Sequence, residues 1–459
     1  MTLPLIIVLV FFAVVFLIGI IDRRKVTIED YWVNGRKTNK FVLVATIASS
    51  FLGVAALISN AGIAFSGGGL ATAFLFGSFL FYFIIFAKFF APKIKEFGDQ
   101  HGAYTVPDFL EFRYGPKVRV AGLIVNLFSF GLFLALQILG IGIFISSVGG
   151  FDPLYATILG GAIIIAYTTV GGLRADIRTD IFQLIIMLTL IFIFLPFLIM
   201  KGGGFQSIAA LPVSFLSGHE FAPWYVFILG LLFLGASNMV SGDLWQRAYA
   251  SDSVKNVRWA MKISGIIIFI FFIAGTLFGV YGKILLPEAN ANNIVPELMK
   301  LLLSPGLFGL VLAGFFAAIM STADTMLLLV SMTLIHDFYQ KTMKKELSTE
   351  ATLRLSRWTT LVIGLVALIL AVTIFSVVHI AIEAVSFFVA LLPAITFGFY
   401  WKKATTTAAF WSIIVGTLTI IIFLFIDPVQ AFIPGIITSF LAFFLVNFFA
   451  RKKLTSSSE

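Results

Sequence analysis

Ala318, Ser321 and Thr322 lie in the middle of a stretch otherwise rich in Leu, Phe and Met. Positions i, i+3 and i+4 share one face of a helix, so the Ala318 carbonyl and the Ser321 and Thr322 hydroxyls would converge. Neutral oxygens of this kind replace the hydration shell of a hard monovalent cation. The same hydroxyls would equally serve to bond back to their own helix or to let two helices pack closely. Asp180 stands just inside another apolar stretch, with Gln183 one turn on. An acid within a bilayer is costly and marks a pathway, whereas one at headgroup level is simply solvated. Two further apolar stretches carry small and polar residues in their middles. The first has Ser49, Ser50, Gly53, Ser59, Asn60 and Gly62, and the second has Gly235, Ala236, Ser237 and Asn238. Transporters built from inverted repeats break one helix at matching positions in each half, and the freed carbonyls and helix ends form a midplane site. Small-residue packing is the plainer reading, but the matching positions favour a pathway.

Placing such groups falls to helices in lipid. Of the 459 residues 60% are hydrophobic and only 12% charged, more apolar surface than a soluble domain could hide. Hydrophobic runs fall at 4–21, 41–66, 69–92, 119–148, 153–170, 176–200, 223–242, 259–285, 305–335, 356–377, 380–401, 405–426 and 430–450. Each is near the length that crosses a bilayer. Backbone groups in lipid must be satisfied within the segment, and no alternating strand pattern of a barrel occurs, so the spacing predicts an all-α polytopic membrane protein of about thirteen spans. The opening run lacks a basic flank and a cleavage site and reads as a retained span rather than a signal peptide.

Charge placement agrees. The formal net charge of +9 is concentrated in every second connection. Arg23, Arg24, Lys25 and Arg36 come first, then Lys93, Arg113 and Lys117, then Arg174 and Arg178, then Arg247, Lys255 and Arg258, and finally Lys341 to Arg357, Lys402, Lys403 and Arg451 to Lys453. The positive-inside rule then sets the N-terminus outside and the C-terminus in the cytoplasm. Charge so distributed follows the membrane and argues against a nucleic-acid partner. The chain has no Cys, and its four His residues (His101, His219, His336, His379) are far apart in sequence. A membrane-embedded enzyme is therefore not expected.

Several short motifs resemble the sodium:solute symporter family. They are Glu29-Asp30-Tyr31 with Asn34-Gly35-Arg36; Thr105-Val106-Pro107-Asp108-Phe109 with Arg113-Tyr114-Gly115; Gly171-Gly172-Leu173 to Thr179-Asp180; Asp243-Leu244-Trp245-Gln246-Arg247; and Met320-Ser321-Thr322-Ala323-Asp324. The resemblance implies a LeuT-type fold with a 5+5 inverted repeat. On that frame residues 1–40 are a leader helix and cytoplasmic loop, 41–401 the core (repeats 41–200 and 223–401), and 402–459 two trailing helices and a short tail. It also implies a sodium ion, the coupling ion, held by the carbonyls of Ser49, Leu52 and Ala318 and the hydroxyls of Ser321 and Thr322. Asp180 matches an acid that holds a second sodium in some members and supports the exit route in others. Ala318 stands where members with a clear second site carry a hydroxyl, which favours one sodium here.

The solute site implied by the resemblance draws its candidates from Ser59, Asn60, Gln137, Ser237, Asn238 and Ser386. The expected function is import of a small organic solute by sodium symport at the cell membrane. No cofactor other than the transported sodium and no obligate protein partner is implied. The rivals are a proton-coupled or uncoupled transporter of the same fold and a transporter-like sensor, the last disfavoured by the short tail.

Overall fold

The computed structural model describes residues 3–21, 27–170, 173–373 and 377–456. Arg23, Arg24, Lys25, Gly171 and Gly172 lie outside the described residues, as do the side chains of Leu173, Arg174, His379 and Lys453. Among the described residues the chain is helical with no strand, and an isolated bridge joins Thr38 to Ser251. The helices that matter here are α1 (Leu3–Ile21), α2 (Lys40–Phe51), α3 (Thr72–Ile85), α4 (Pro116–Gly149), α5 (Pro153–Val170), α6 (Leu173–Thr189) and α7 (Trp224–Phe233). They continue with α8 (Gly242–Ala250), α9 (Val254–Leu285), α10 (Pro305–Met332), α11 (Thr349–Thr373), α12 (Val377–Val389), α13 (Thr406–Leu424) and α14 (Phe432–Ser456).

Nine helical stretches among the described residues are long and apolar enough to cross a bilayer, or ten if the pair Trp224–Met239 and Gly242–Ala250, bent by 44°, is one span. Three apolar helices, in α1, α2 and α5, are shorter. Length and apolarity therefore do not reach the expected thirteen. Part of the reason is the break at Leu52 and Gly53. It leaves α2 short on one side, while on the other the run that begins at Ala55 continues to His101 as one 47-residue helical stretch.

Local chemistry explains the break and the turn that follows. Asn39 caps α2 through its side chain, which accepts from the Phe41 and Val42 N–H groups. Leu52 leaves helical geometry at φ −93° and ψ 29°. At the far end of this stretch Gly69 adopts φ +47°, and a Cβ there would stand 2.0 Å from the Phe215 carbonyl oxygen. Only glycine suits that close approach. The connection 201–222 holds two short helices, Gly204–Ala209 and Val213–Leu216, rather than open loop. After α9 the chain forms a further short helix, Ile294–Leu302.

Helix α10 forms the centre of the bundle and is buried almost all round. It packs against α1, α4 and α6, while α2 lies between α6 and α9, and α12 rests on α4. The motifs scattered through the sequence meet at one end of the bundle. Arg36 pairs with Glu29 at 2.8 Å and donates to the Ala103 carbonyl, Gln246 donates to the Trp32 carbonyl at 2.8 Å, and Tyr249 donates to the Thr105 carbonyl at 3.4 Å.

Candidate functional site

The break after α2 lies directly against α10. A Cβ built on Gly53 would stand 2.5 Å from Gln137 Oε1 and 2.6 Å from Thr322 Oγ1, so backbone approaches both side chains as closely as glycine permits. Gln137 Oε1 accepts the Val54 N–H at 2.9 Å, and Gln137 Nε2 donates to the Phe133 carbonyl at 3.3 Å. This glutamine, reaching from α4, satisfies a donor that the break sets free. Thr322 Oγ1 donates to the Ala318 carbonyl at 3.0 Å, and the Leu52 N–H to the Ser49 carbonyl at 3.3 Å. Ser321 Oγ donates to Asp180. Ser49, Leu52, Ala318 and Ser321 are fully buried and Thr322 is 4% exposed, so the hydroxyl pair faces protein and not lipid. The donor set is oxygen only, carbonyls and hydroxyls with one carboxylate behind them, which fits a hard monovalent cation.

Asp180 is fully buried, which overturns the reading of a water-bathed acid at headgroup level. It accepts from Thr46 on α2 as well as from Ser321 on α10. Beside it lies Arg247, 1% exposed. Arg247 Nε donates to Thr46 Oγ1 at 3.0 Å and Nη1 to Gln246 Oε1 at 2.9 Å. Its Nη2 donates to Asp176 Oδ2 at 3.0 Å and to Thr325 Oγ1 at 2.8 Å, and stands 3.7 Å from Asp180 Oδ2. The charge count above placed Arg247 among exposed cytoplasmic charges. The structure corrects this, because counting charges between apolar runs cannot distinguish a solvated arginine from one folded back into the bundle. Asp324, one turn from Ser321, accepts from Thr168 on α5. Thr46, Asp176, Arg247 and Thr325 were missed as site residues. The signal was present for some of them. Asp176 and Asp180 are four apart on one helix, as are Ser321 and Thr325 on another, so each pair shares a face.

A cavity adjoins Thr322, with about 60 Å³ available to the centres of water-sized spheres. Its polar lining includes Ser50, Gln137, Ser237, Asn238, Asp243 and Thr322, and the rest of its wall is mostly apolar, with phenylalanine the commonest residue, including Phe51, Phe76, Phe130, Phe272 and Phe388. Of the solute candidates, Gln137, Ser237 and Asn238 line it. Ser59, Asn60 and Ser386 do not, and each spends its polar group on the helix framework. Ser59 Oγ donates to the Val377 carbonyl at 2.8 Å. Asn60 Nδ2 donates to the Phe272 carbonyl at 2.6 Å, and its Oδ1 accepts from Thr276. Ser386 Oγ bonds back to the Ile382 carbonyl at 2.7 Å. Ser59 and Asn60 tie helices together and Ser386 bonds within its own, all away from the cavity, uses of Ser and Asn that residue type alone does not distinguish from ligand binding.

A bundle with a broken first helix, a bent counterpart at α7 and α8, and a cavity between them is the build of a multi-pass membrane transporter. Residues 31–416 match the sodium:solute symporter family. Sodium/proline symporters of Staphylococcus aureus are 26% identical over 96% of this chain and 92% of their own length. A Na+-coupled sialic acid symporter, solved in a substrate-bound outward-open state, superposes with a TM-score of 0.78 at 20% identity, covering 97% of this chain and 98% of that one. A nucleobase-cation-symport-1 family transporter gives 0.61 at 15% identity, covering 92% and 95%. These structural likenesses show the LeuT-type fold with its 5+5 inverted repeat. The chain belongs to the sodium:solute symporter family, and sodium is its coupling ion.

Proposed function

We propose that the chain imports a small organic solute together with one sodium ion by alternating access in the cell membrane, with its N-terminus outside and its C-terminus in the cytoplasm. The core is 41–401, with 41–200 and 223–401 as its two repeats and the leader and trailing helices outside it. Sodium is held by the carbonyls of Ser49, Leu52 and Ala318 and the hydroxyls of Ser321 and Thr322. Asp180 sits behind them on the exit route, already accepting from Thr46 and Ser321. Ala318 offers no hydroxyl for a second ion. The observation that carries this reading is the position of Thr322. Its hydroxyl touches the break at Gly53, bonds the Ala318 carbonyl and lines the cavity. One side chain thus belongs to both the ion set and the solute cavity.

Coupling follows from that sharing. Sodium bridging α2 and α10 favours the shape in which Gly53, Gln137 and Thr322 are together, and that shape is the one that forms the cavity. A ligand shifts an equilibrium only by its differential affinity for the two shapes. Sodium then tightens solute binding, and solute tightens sodium binding by the same factor. A membrane potential of about 100 mV contributes ~2.3 kcal/mol for each charge carried inward. The relatives named above couple sodium to proline by their names, which supports a small organic solute here.

The test is the double variant Ser321→Ala with Thr322→Val, reconstituted in vesicles under a sodium gradient. Sodium-driven uptake should vanish while the protein stays folded. Unchanged sodium affinity, or uptake driven equally by a proton gradient without sodium, overturns the assignment.

A further inference from the structure

The cavity beside Thr322 also limits what can enter it, and resting on the transport reading above, its chemistry narrows the solute class. Much of its polar lining is already committed. Gln137 is engaged by Val54 and Phe133, Ser237 Oγ donates to the Leu234 carbonyl at 2.8 Å, and Thr322 bonds Ala318. Asn238 differs. It is fully buried, and neither Nδ2 nor Oδ1 has a partner among the described residues. A buried amide left unbonded is costly, so a ligand that bonds it recovers that cost. Asp243 brings the charge. It is 3% exposed and accepts from the Ser241 hydroxyl and the Leu244 N–H, which leaves part of a carboxylate's roughly four lone-pair positions to offer. Among the described residues no Lys, Arg or His lines the cavity.

We propose that the solute is a compact amino-acid-type zwitterion with an apolar body, its ammonium drawn to Asp243, its polar head bonded by Asn238, and its body lying among the phenylalanines. A sugar would bury a hydroxyl on nearly every carbon where few groups are free to bond them. A dicarboxylate would face Asp243 with no lining base. An ammonium gains twice, from the Asp243 carboxylate and from the ring faces around it. The solute carboxylate keeps the Asn238 amide donors.

Thermal unfolding of the purified full-length protein tests this in sodium and in potassium. The probes are L-valine, L-proline, D-glucose, succinate, isovalerate (valine without its amine) and isobutylamine (valine without its carboxylate). Stabilisation is expected in sodium from L-valine or L-proline only. Asn238→Leu and Asp243→Asn should each raise the concentration giving half-maximal stabilisation by about tenfold or more, while the shift caused by sodium alone is unchanged. The two variants lie on different segments, so misfolding of one leaves the other informative. The proposal falls if glucose, succinate or isovalerate stabilises as well as the amino acids, if neither amino acid stabilises, or if both variants bind normally. Failure of the transport reading looks different, because sodium and potassium alone would then give the same unfolding temperature.

Discussion

Two polar clusters are buried in this molecule, and they are built to opposite plans. At the end of the bundle where the motifs meet, Asp108 accepts the Tyr104 and Thr105 N–H groups at 2.8 and 3.2 Å, His336 Nε2 lies 3.1 Å away, and Lys341 Nζ 2.5 Å away. Glu111 pairs with Arg119 at 2.7 Å, and Asp337 accepts from Thr105. Three acids there face Lys341, Arg119 and His336, so charge is close to balanced. Within the bundle, Asp176 and Asp180 face Arg247, while Asp324, on the next turn of α10 from Ser321, is held by Thr168, and Asp176 Oδ1 and Asp324 Oδ2 have no partner among the described residues. A balanced cluster fastens the helix 106–114 to the end of α10. A cluster with more acids than bases leaves room for a cation to complete it. Burial is common to both, and so is an unpartnered carboxylate oxygen, since Asp337 Oδ2 has no partner among the described residues either; the balance of acids against bases separates them.

The sharpest break of this contrast is Arg247→Ala. Removing the guanidinium leaves buried acids without their counter-ion and should destabilise by about 3–5 kcal/mol, read as lost unfolding temperature and lower yield of folded protein. Arg247→Ala combined with Asp176→Asn should recover part of the loss. If Arg247→Ala costs no more than Lys341→Ala, the two clusters are not different in kind.

Gly53→Ala comes next and addresses the place where the ion set and the solute cavity meet. The new methyl would overlap Gln137 and Thr322, and overpacking of this sort costs about 1–3 kcal/mol. Stability should fall by that amount, while sodium-driven uptake should fall far more, because the displaced hydroxyl belongs to both ion and solute. Uptake that falls only in proportion to the loss of folded protein would remove Thr322 from its shared position.

What the chain disclosed in advance follows the same division. Helical class and membrane embedding were legible because apolar length is a one-dimensional property of sequence. That Ser321 and Thr322 turn into the bundle was legible because spacing along one helix fixes a shared face. The setting of Arg247 was not, since it depends on Thr46, Asp176 and Thr325 arriving from three other helices. Ser59, Asn60 and Ser386, which the structure places outside the cavity, show the converse. Each looked like a ligand in its own helix, and only the neighbouring carbonyls of Val377, Phe272 and Ile382 show what it holds. Asn238 differs from them in lining the cavity with its amide unbonded.

Asp108→Asn probes the balanced cluster with a smaller effect. The amide keeps an acceptor for the helix cap but loses the charge that faces His336 and Lys341, at a cost of about 1–2 kcal/mol. The half-maximal sodium concentration for uptake should be unchanged, because no part of the ion set is touched. A shift in that concentration would join the two clusters into one functional unit and end the contrast.

The smallest expected effect is one of pH, and it concerns the same carboxyl. Burial pushes the Asp108 carboxyl up, but His336 and Lys341 outweigh burial and hold it below the usual carboxylate range. A carboxyl depressed on folding adds stability that is complete above its unfolded value, about 4, and is lost as pH falls through that value towards the folded one. The gap in unfolding temperature between the native chain and Asp108→Asn should therefore not close from about pH 7 to pH 5, where protonation of His336 beside the Asp108 carboxylate widens it, and should narrow only below about pH 4. Taking the difference between the two proteins cancels the other acids, including those around Arg247. A gap that closes already between pH 7 and pH 5 would mean that Asp108 takes up a proton near neutrality. Its cluster would then be as short of base as the one inside the bundle, and the balance of acids against bases would no longer tell a fastening from an ion site.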